Sequence, residues 1–157
     1  MIAERKNADA NTYVLLQLAN RHFALPSAIV SELAPPVRLH TFPHTSPLVS
    51  GVIVRRGRIV PVYDVARVLL GRSSSVHRFY LIVRRTFPGD PESSAIPVSG
   101  ECELFNGELQ EASENTHAHI SGRVLFGDES IEVLNFDALL ANDPTMDNAP
   151  RHAETQP

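Results

Sequence analysis

A strand, a turn, a second strand and a short helix occur twice in this chain, 71 residues apart. That repetition constrains the fold more than any other feature of the sequence. The offset carries Ser50-Gly51 onto Ser121-Gly122, Ile53-Val54 onto Val124-Leu125, and Val60 and Val62 onto Ile131 and Val133. It also carries Asp64 onto Asn135 and Leu69 onto Leu140. In both copies Ser-Gly opens a hairpin, and an Asp or Asn stands where it can cap an amphipathic helix. Upstream, Phe79-Tyr80-Leu81-Ile82-Val83 stands in for Tyr13–Leu18. Two copies of mixed strand-and-helix content point to a pair of small barrels, because a solenoid needs at least about three repeats.

The rest of the chain fits an all-β reading with short helices. Thr12–Leu18 is rich in β-branched and aromatic residues, Ala19-Asn20-Arg21 turns, and His22–Leu25 returns. Pro26-Ser27 ends that strand, and Ile29–Leu33 reads as a helical turn or a bent strand. Four prolines between Pro35 and Pro47 make that stretch a loop. Leu48–Val54 and Arg58–Tyr63 form a hairpin about Arg55-Arg56-Gly57, and Asp64 caps a helix over Val65–Leu70 closed by Gly71. The periodicity turns Val65, Val68 and Leu69 inward. Residues 1–11 and 142–157 are polar and aperiodic and read as disordered tails around a body of residues 12–141, with a joint between its halves near 72–77.

Composition and charge narrow the class. Hydrophobic residues make up 43% and charged residues 20% of 157, enough for a real core. No apolar run reaches the roughly 18 residues of a membrane span, no apolar leader follows Met1, and the lone Cys102 fits a reducing compartment. A soluble cytoplasmic protein without direct membrane insertion is the expectation. Between Gly51 and Arg85 eight arginines stand against Asp64 alone, whereas between Thr86 and Leu140 eleven acids stand against Arg123. Such a split suggests two surfaces with different partners, against a bland reading as solvated charge on strand edges.

Enzyme signatures are missing from the sequence: there is no G-x-S-x-G, H-E-x-x-H, C-x-x-C or glycine-rich phosphate loop, so no catalytic residue is assigned. His117 and His119 share a strand face, but only Cys102 and nearby acids could complete the three or four ligands of a zinc site, so no metal or cofactor is expected; His40 and His44 flank the proline loop. The arginine-rich segment could serve as a nucleic-acid footprint, but the chain's net charge of −4 and its few stacking rings argue for no nucleic-acid partner.

The segment Ser50-Gly51-Val52-Ile53-Val54-Arg55-Arg56-Gly57-Arg58-Ile59-Val60-Pro61-Val62-Tyr63-Asp64-Val65 resembles the signature of the CheW family of chemotaxis coupling proteins. Phe23-Ala24-Leu25-Pro26, Val30-Ser31-Glu32-Leu33, Pro43, Pro47 and, later, Ser121-Gly122, Phe126-Gly127-Asp128 and Asn135-Phe136 extend the resemblance. Two departures stand out. Val54-Arg55 replaces the family's Asn-Leu, and Val98-Ser99-Gly100-Glu101 replaces a V-D-x-V run. The loop Pro88-Gly89-Asp90-Pro91 and the acidic stretch Glu101–Glu114 are also atypical. The resemblance implies two intertwined five-stranded SH3-like barrels and a non-enzymatic adaptor. Its implied partners are the regulatory domain of a CheA-type histidine kinase and the cytoplasmic tips of methyl-accepting chemoreceptors, in a chemotaxis, pilus-motility or other chemosensory pathway. By position it places receptor contact on Val30, Glu32 and Arg56, in the groove between barrels. Kinase contact falls on Gly51, Val52 and Arg55.

Overall fold

The computed structural model describes residues 11–43, 46–72, 77–84, 92–113 and 118–141. The strands are β1 (Thr12–Leu18), β2 (Arg21–Pro26), β3 (Val30–Ala34), β4 (Val49–Arg55), β5 (Arg58–Tyr63), β6 (Phe79–Arg84) and β7 (Ser93–Val98). They continue with β8 (Glu103–Asn106), β9 (Gln110–Glu111), β10 (Ile120–Phe126) and β11 (Glu129–Leu134). Helix α1 (Val65–Leu70) follows β5, and α2 (Phe136–Ala141) follows β11. The first sheet runs β8-β1-β2-β11-β10-β9 and the second β3-β6-β7-β5-β4. Five strands per sheet therefore hold for the second alone. The first gains the two-residue β9, which pairs with Gly122 and Arg123 at the edge.

The 71-residue repeat is realised element by element. It carries the bounds of β4, β5 and α1 onto those of β10, β11 and α2 without a shift. The register slips in both copies at the opening glycine, between Val49 and Gly51 and between Ile120 and Gly122. The reason is steric. A Cβ on Gly51 would stand 2.5 Å from the His40 carbonyl oxygen, and one on Gly122 would stand 2.2 Å from that of Gln110. Only glycine lets the crossing backbone approach this closely.

The two sheets are not the two halves of the chain. β2 runs parallel to β11, with Phe23 opposite Glu132 and Ala24 opposite Val133, and β5 runs parallel to β7, with Val62 opposite Ala95. Each repeat's first hairpin has joined the other repeat's second hairpin. The joint expected near 72–77 accordingly lies between α1 and β6, elements on the same side of the exchange, and residues 73–76 fall outside the described residues. Most of the expected tails lie outside them as well. Asn11 does not: its carbonyl accepts a hydrogen bond from Gly107 N at 2.9 Å.

Three apolar clusters follow from strands buried on both faces. Tyr13 and Leu15 of β1 meet Ala24, Val124, Ile131 and Val133 inside the first sheet. Tyr80 and Ile82 of β6 meet Ile53, Val60, Val62 and Ala95 inside the second. The alternate residues, Val14, Leu16 and Leu18 of β1 with Leu81 and Val83 of β6, form a seam shared by both sheets. The helices close that seam, where Tyr63 and Phe136 stack edge to face with centroids 6.3 Å apart. One expectation changes here. α1 buries Val65 and Ala66, while Val68 and Leu69 are only half-buried, unlike their counterparts Leu139 and Leu140 in α2, which are buried. The stretch read as a helical turn or a bent strand is some of each: a 3-10 turn at Ser27–Ile29, then β3.

Candidate functional site: a carboxylate clamped by the hairpin tip beside the inter-sheet groove

The β4–β5 tip is a two-residue turn in which Arg56 (φ 53°) and Gly57 (φ 75°) are both left-handed, the geometry that a tight right-twisted hairpin demands. This turn throws Arg55 and Arg56 back towards β3. Arg55 Nε donates to Glu32 Oε1 at 2.8 Å, and an Arg56 guanidinium nitrogen donates to Glu32 Oε2 at 2.9 Å. Glu32 and Arg55 are half-buried, whereas the Arg56 side chain is 75% exposed. The hydrogen bond from Arg55, helped by the charges of both guanidiniums, holds the Glu32 carboxyl below the usual carboxylate range against its partial desolvation.

Glu32 is also a boundary post between two concavities. On one side a groove of about 530 Å³ is lined from the second sheet by Val30, Leu33 and Leu81 and from the first by Thr12, Val14 and Leu104. On the other side lies the mouth of the second sheet's interior, rimmed by the arginines of the tip. Val30 and Glu32 thus line the inter-sheet groove, whereas Arg56 lines the other concavity and meets the groove only through its hydrogen bond to Glu32. Arg55 joins them on the same carboxylate, so the separation of Arg55 from Glu32 and Arg56 suggested by the sequence is not one of distance.

Gly51 and Val52 sit further along β4. Gly51 is buried beneath the loop at His40, and Val52 exchanges backbone hydrogen bonds of 2.8 and 2.9 Å with His40. Any part Gly51 plays in partner contact runs through the shape of that loop. Beyond them Val54 and Ile59, directly paired across the hairpin, are 52% and 72% exposed. The repeat supplies an internal comparison. Val52, Val54, Ile59 and Pro61 correspond to Arg123, Leu125, Ser130 and Glu132, so the fold itself does not require an apolar outer face on this hairpin.

Reading the sequence missed Leu33, Leu81 and Leu104 as groove residues. Strand pairing aligns Glu32 with Glu103 and Leu33 with Leu104, through their partners Ile82 and Leu15 and then Leu81 and Val14. The same offset of 71 was therefore present further upstream, where Pro26 maps onto Pro97. Cys102 lines the groove, and burial pushes its thiol up to about 11. Among the described residues no group of three or more His, Cys, Asp or Glu side chains is placed to hold a metal ion, and His44 and His117 fall outside them. The loop 88–91 also lies outside the described residues. Among the described residues no helix is long and apolar enough to cross a membrane.

A family model described as a CheW-like domain matches residues 12–143. Among solved structures, the chain is similar to the scaffolding protein TtCheW from Thermoanaerobacter tengcongensis, with a TM-score of 0.71 at 20% identity. That match covers 83% of this chain and 87% of the other, and it is a likeness of fold. No curated protein matches the sequence significantly.

Proposed function

The chain belongs to the CheW-like domain family, and from that premise we propose that it is a non-enzymatic cytoplasmic scaffold joining chemoreceptor tips to the regulatory domain of a CheA-type histidine kinase. The observation that carries this reading is the Glu32 carboxylate gripped by Arg55 and Arg56 at the end of a groove lined by both sheets. Rigid strands hold the groove's apolar walls, and the ion cluster presents polar groups of fixed position beside them. That combination suits recognition of a protein surface, where apolar anchors supply affinity and charge supplies register. In this reading Val30, Glu32 and Arg56 meet the receptor. The kinase meets the outer face of the β4–β5 hairpin, around Val52 and the exposed Val54–Ile59 pair, with Gly51 shaping the loop behind it and Arg55 linking the two sites through Glu32.

Calorimetric titration of the full chain with a kinase regulatory domain and, separately, with a receptor cytoplasmic fragment from the same cell tests the reading. Micromolar or tighter binding to the kinase domain is expected, about −8 kcal/mol or better. Arg56→Glu is expected to weaken receptor binding while leaving kinase binding and the circular dichroism spectrum unchanged, since an exposed turn residue contributes little to the core. Absence of both interactions at high protein concentration would remove the scaffold reading.

A further inference from the structure

The arginine cluster at the mouth of the second sheet exceeds what the Glu32 clamp uses. Arg55 and Arg58 are direct cross-strand partners, a like-charge pairing that costs stability when nothing intervenes. Arg58 makes no ion pair among the described residues, and Glu32 has only one negative charge to set against Arg55 and Arg56. The concavity they rim holds about 860 Å³, has Val60 and Ile82 in its lining, and carries Ser93 and Glu92 on the opposite lip. Under the 71-residue offset Arg55, Arg56 and Arg58 become Phe126, Gly127 and Glu129, and Glu32 becomes Glu103. None of these three positions carries a cation in the first sheet, where Phe126 is packed 5.0 Å from Phe105. The three arginines are therefore not a requirement of the fold.

We propose that this mouth receives an acidic segment of a protein partner, an apolar side chain seating against Ile59 and Pro61 of its lining while flanking carboxylates pair with Arg56 and Arg58. The inference rests on the chain being a docking module and adds the chemistry of the segment docked. Planar guanidiniums suit paired carboxylates, and the apolar lining gives such a segment a reason to bind here rather than at any basic surface. A loose anion would gain nothing from Ile59 and Pro61.

The test uses the full chain and a labelled synthetic peptide with one leucine between two pairs of glutamates, followed by fluorescence anisotropy and by the Nε–Hε resonances of the arginines. Saturable binding at low ionic strength is expected, falling at least about tenfold when ionic strength is raised to about 0.3 M. Arg58→Gln should weaken it about two- to fivefold, and the Arg56→Gln, Arg58→Gln double variant should remove most of the salt dependence. Equal binding of a glutamine version of the peptide would overturn the proposal, as would indifference to the arginine substitutions. So would inorganic phosphate displacing the peptide at matched concentration, which would mark a general anion site. None of these outcomes depends on receptor or kinase binding, so failure here is distinguishable from failure of the scaffold reading.

Discussion

At the residue scale, Glu32 carries the most consequence. Its folded-state pKa lies below its unfolded one, so the stabilisation from the arginine clamp is present above the ordinary carboxylate value of about 4.3 and is lost as the pH falls through the folded value. Glu32→Gln should therefore lower the urea midpoint at pH 7 by a small amount, on the order of 0.3 M for a half-buried carboxylate with one partner in solvent. The difference from wild type should vanish near about pH 2, and a difference that persists there would mean that the clamp is not its source. Cys102 offers a second pH-dependent observable. With its thiol pushed up to about 11, alkylation should climb about tenfold per pH unit between about pH 7 and 10. Levelling off near 8.5 would show that the thiol is not buried in the groove wall. Val98-Ser99-Gly100-Glu101, a departure from the family pattern, has a local use: Ser99 Oγ accepts from Ala19 N at 2.9 Å and braces a turn in which Ala19 itself has φ 56°.

The elements can be compared with one another because the chain contains each of them twice. Asp64 Oδ1 accepts from Arg67 N at 3.3 Å, and Asn135 Oδ1 accepts from Ala138 N at 3.1 Å, the same cap at positions 71 apart. Asp64 N and Asn135 N in turn donate to the carbonyls of Leu48 and His119, which ties each helix start to the beginning of its own hairpin. Asp64→Ala and Asn135→Ala should each cost about 1 kcal/mol, within a range of about 0.5 to 2, by chemical denaturation. Equal losses are expected. A much larger loss at one position would show that its cap carries a tertiary duty that its counterpart lacks. The hairpins themselves differ where their outer faces differ, apolar in β4–β5 and mostly polar in β10–β11, so the shared hairpin fold requires neither character.

Over the whole molecule the seam decides cohesion. Leu16, Leu25, Ile96, Leu139 and Leu140 share one cluster drawn from both sheets and a helix, so neither sheet buries its seam-facing residues without the other. Leu139→Ala should cost about 2–5 kcal/mol and leave a single cooperative transition. The chain lacks tryptophan, and Tyr13, Tyr80 and Tyr63 fall one in each of the three clusters. Tyrosine fluorescence and circular dichroism should consequently trace coincident unfolding curves; separated curves would mean that the sheets melt independently. The exchange of hairpins also redistributes charge. Among the described residues, the second sheet and its loops hold Arg38, Arg55, Arg56, Arg58, Arg67, Arg72, Arg78 and Arg84 against Glu32, Asp64 and Glu92. The first holds Arg21 and Arg123 against Glu101, Glu103, Glu108, Glu111, Asp128, Glu129, Glu132 and Asp137. The asymmetry read along the chain thus becomes one between the two sheets, which carry net charges of opposite sign.

By itself the sequence determined the hairpins, both helix caps, the repeat and the family, because each of these depends on neighbours within a few positions: a glycine where backbones cross, an Asp or Asn before an apolar stripe, alternation along a strand. The residue pattern alone did not determine which hairpin joins which, and the intertwining was legible only through the family resemblance. β1, β2, β6 and β7 are apolar on both faces, so their patterns satisfy either partner, and only burial of the whole seam selects the exchanged pairing. The Glu32 clamp belongs to the same level. Glu32 lies 23 residues from Arg55 and 24 from Arg56, and no local rule brings them together; the tight turn and the curl of the second sheet, which brings its edge strands β3 and β4 near each other, do.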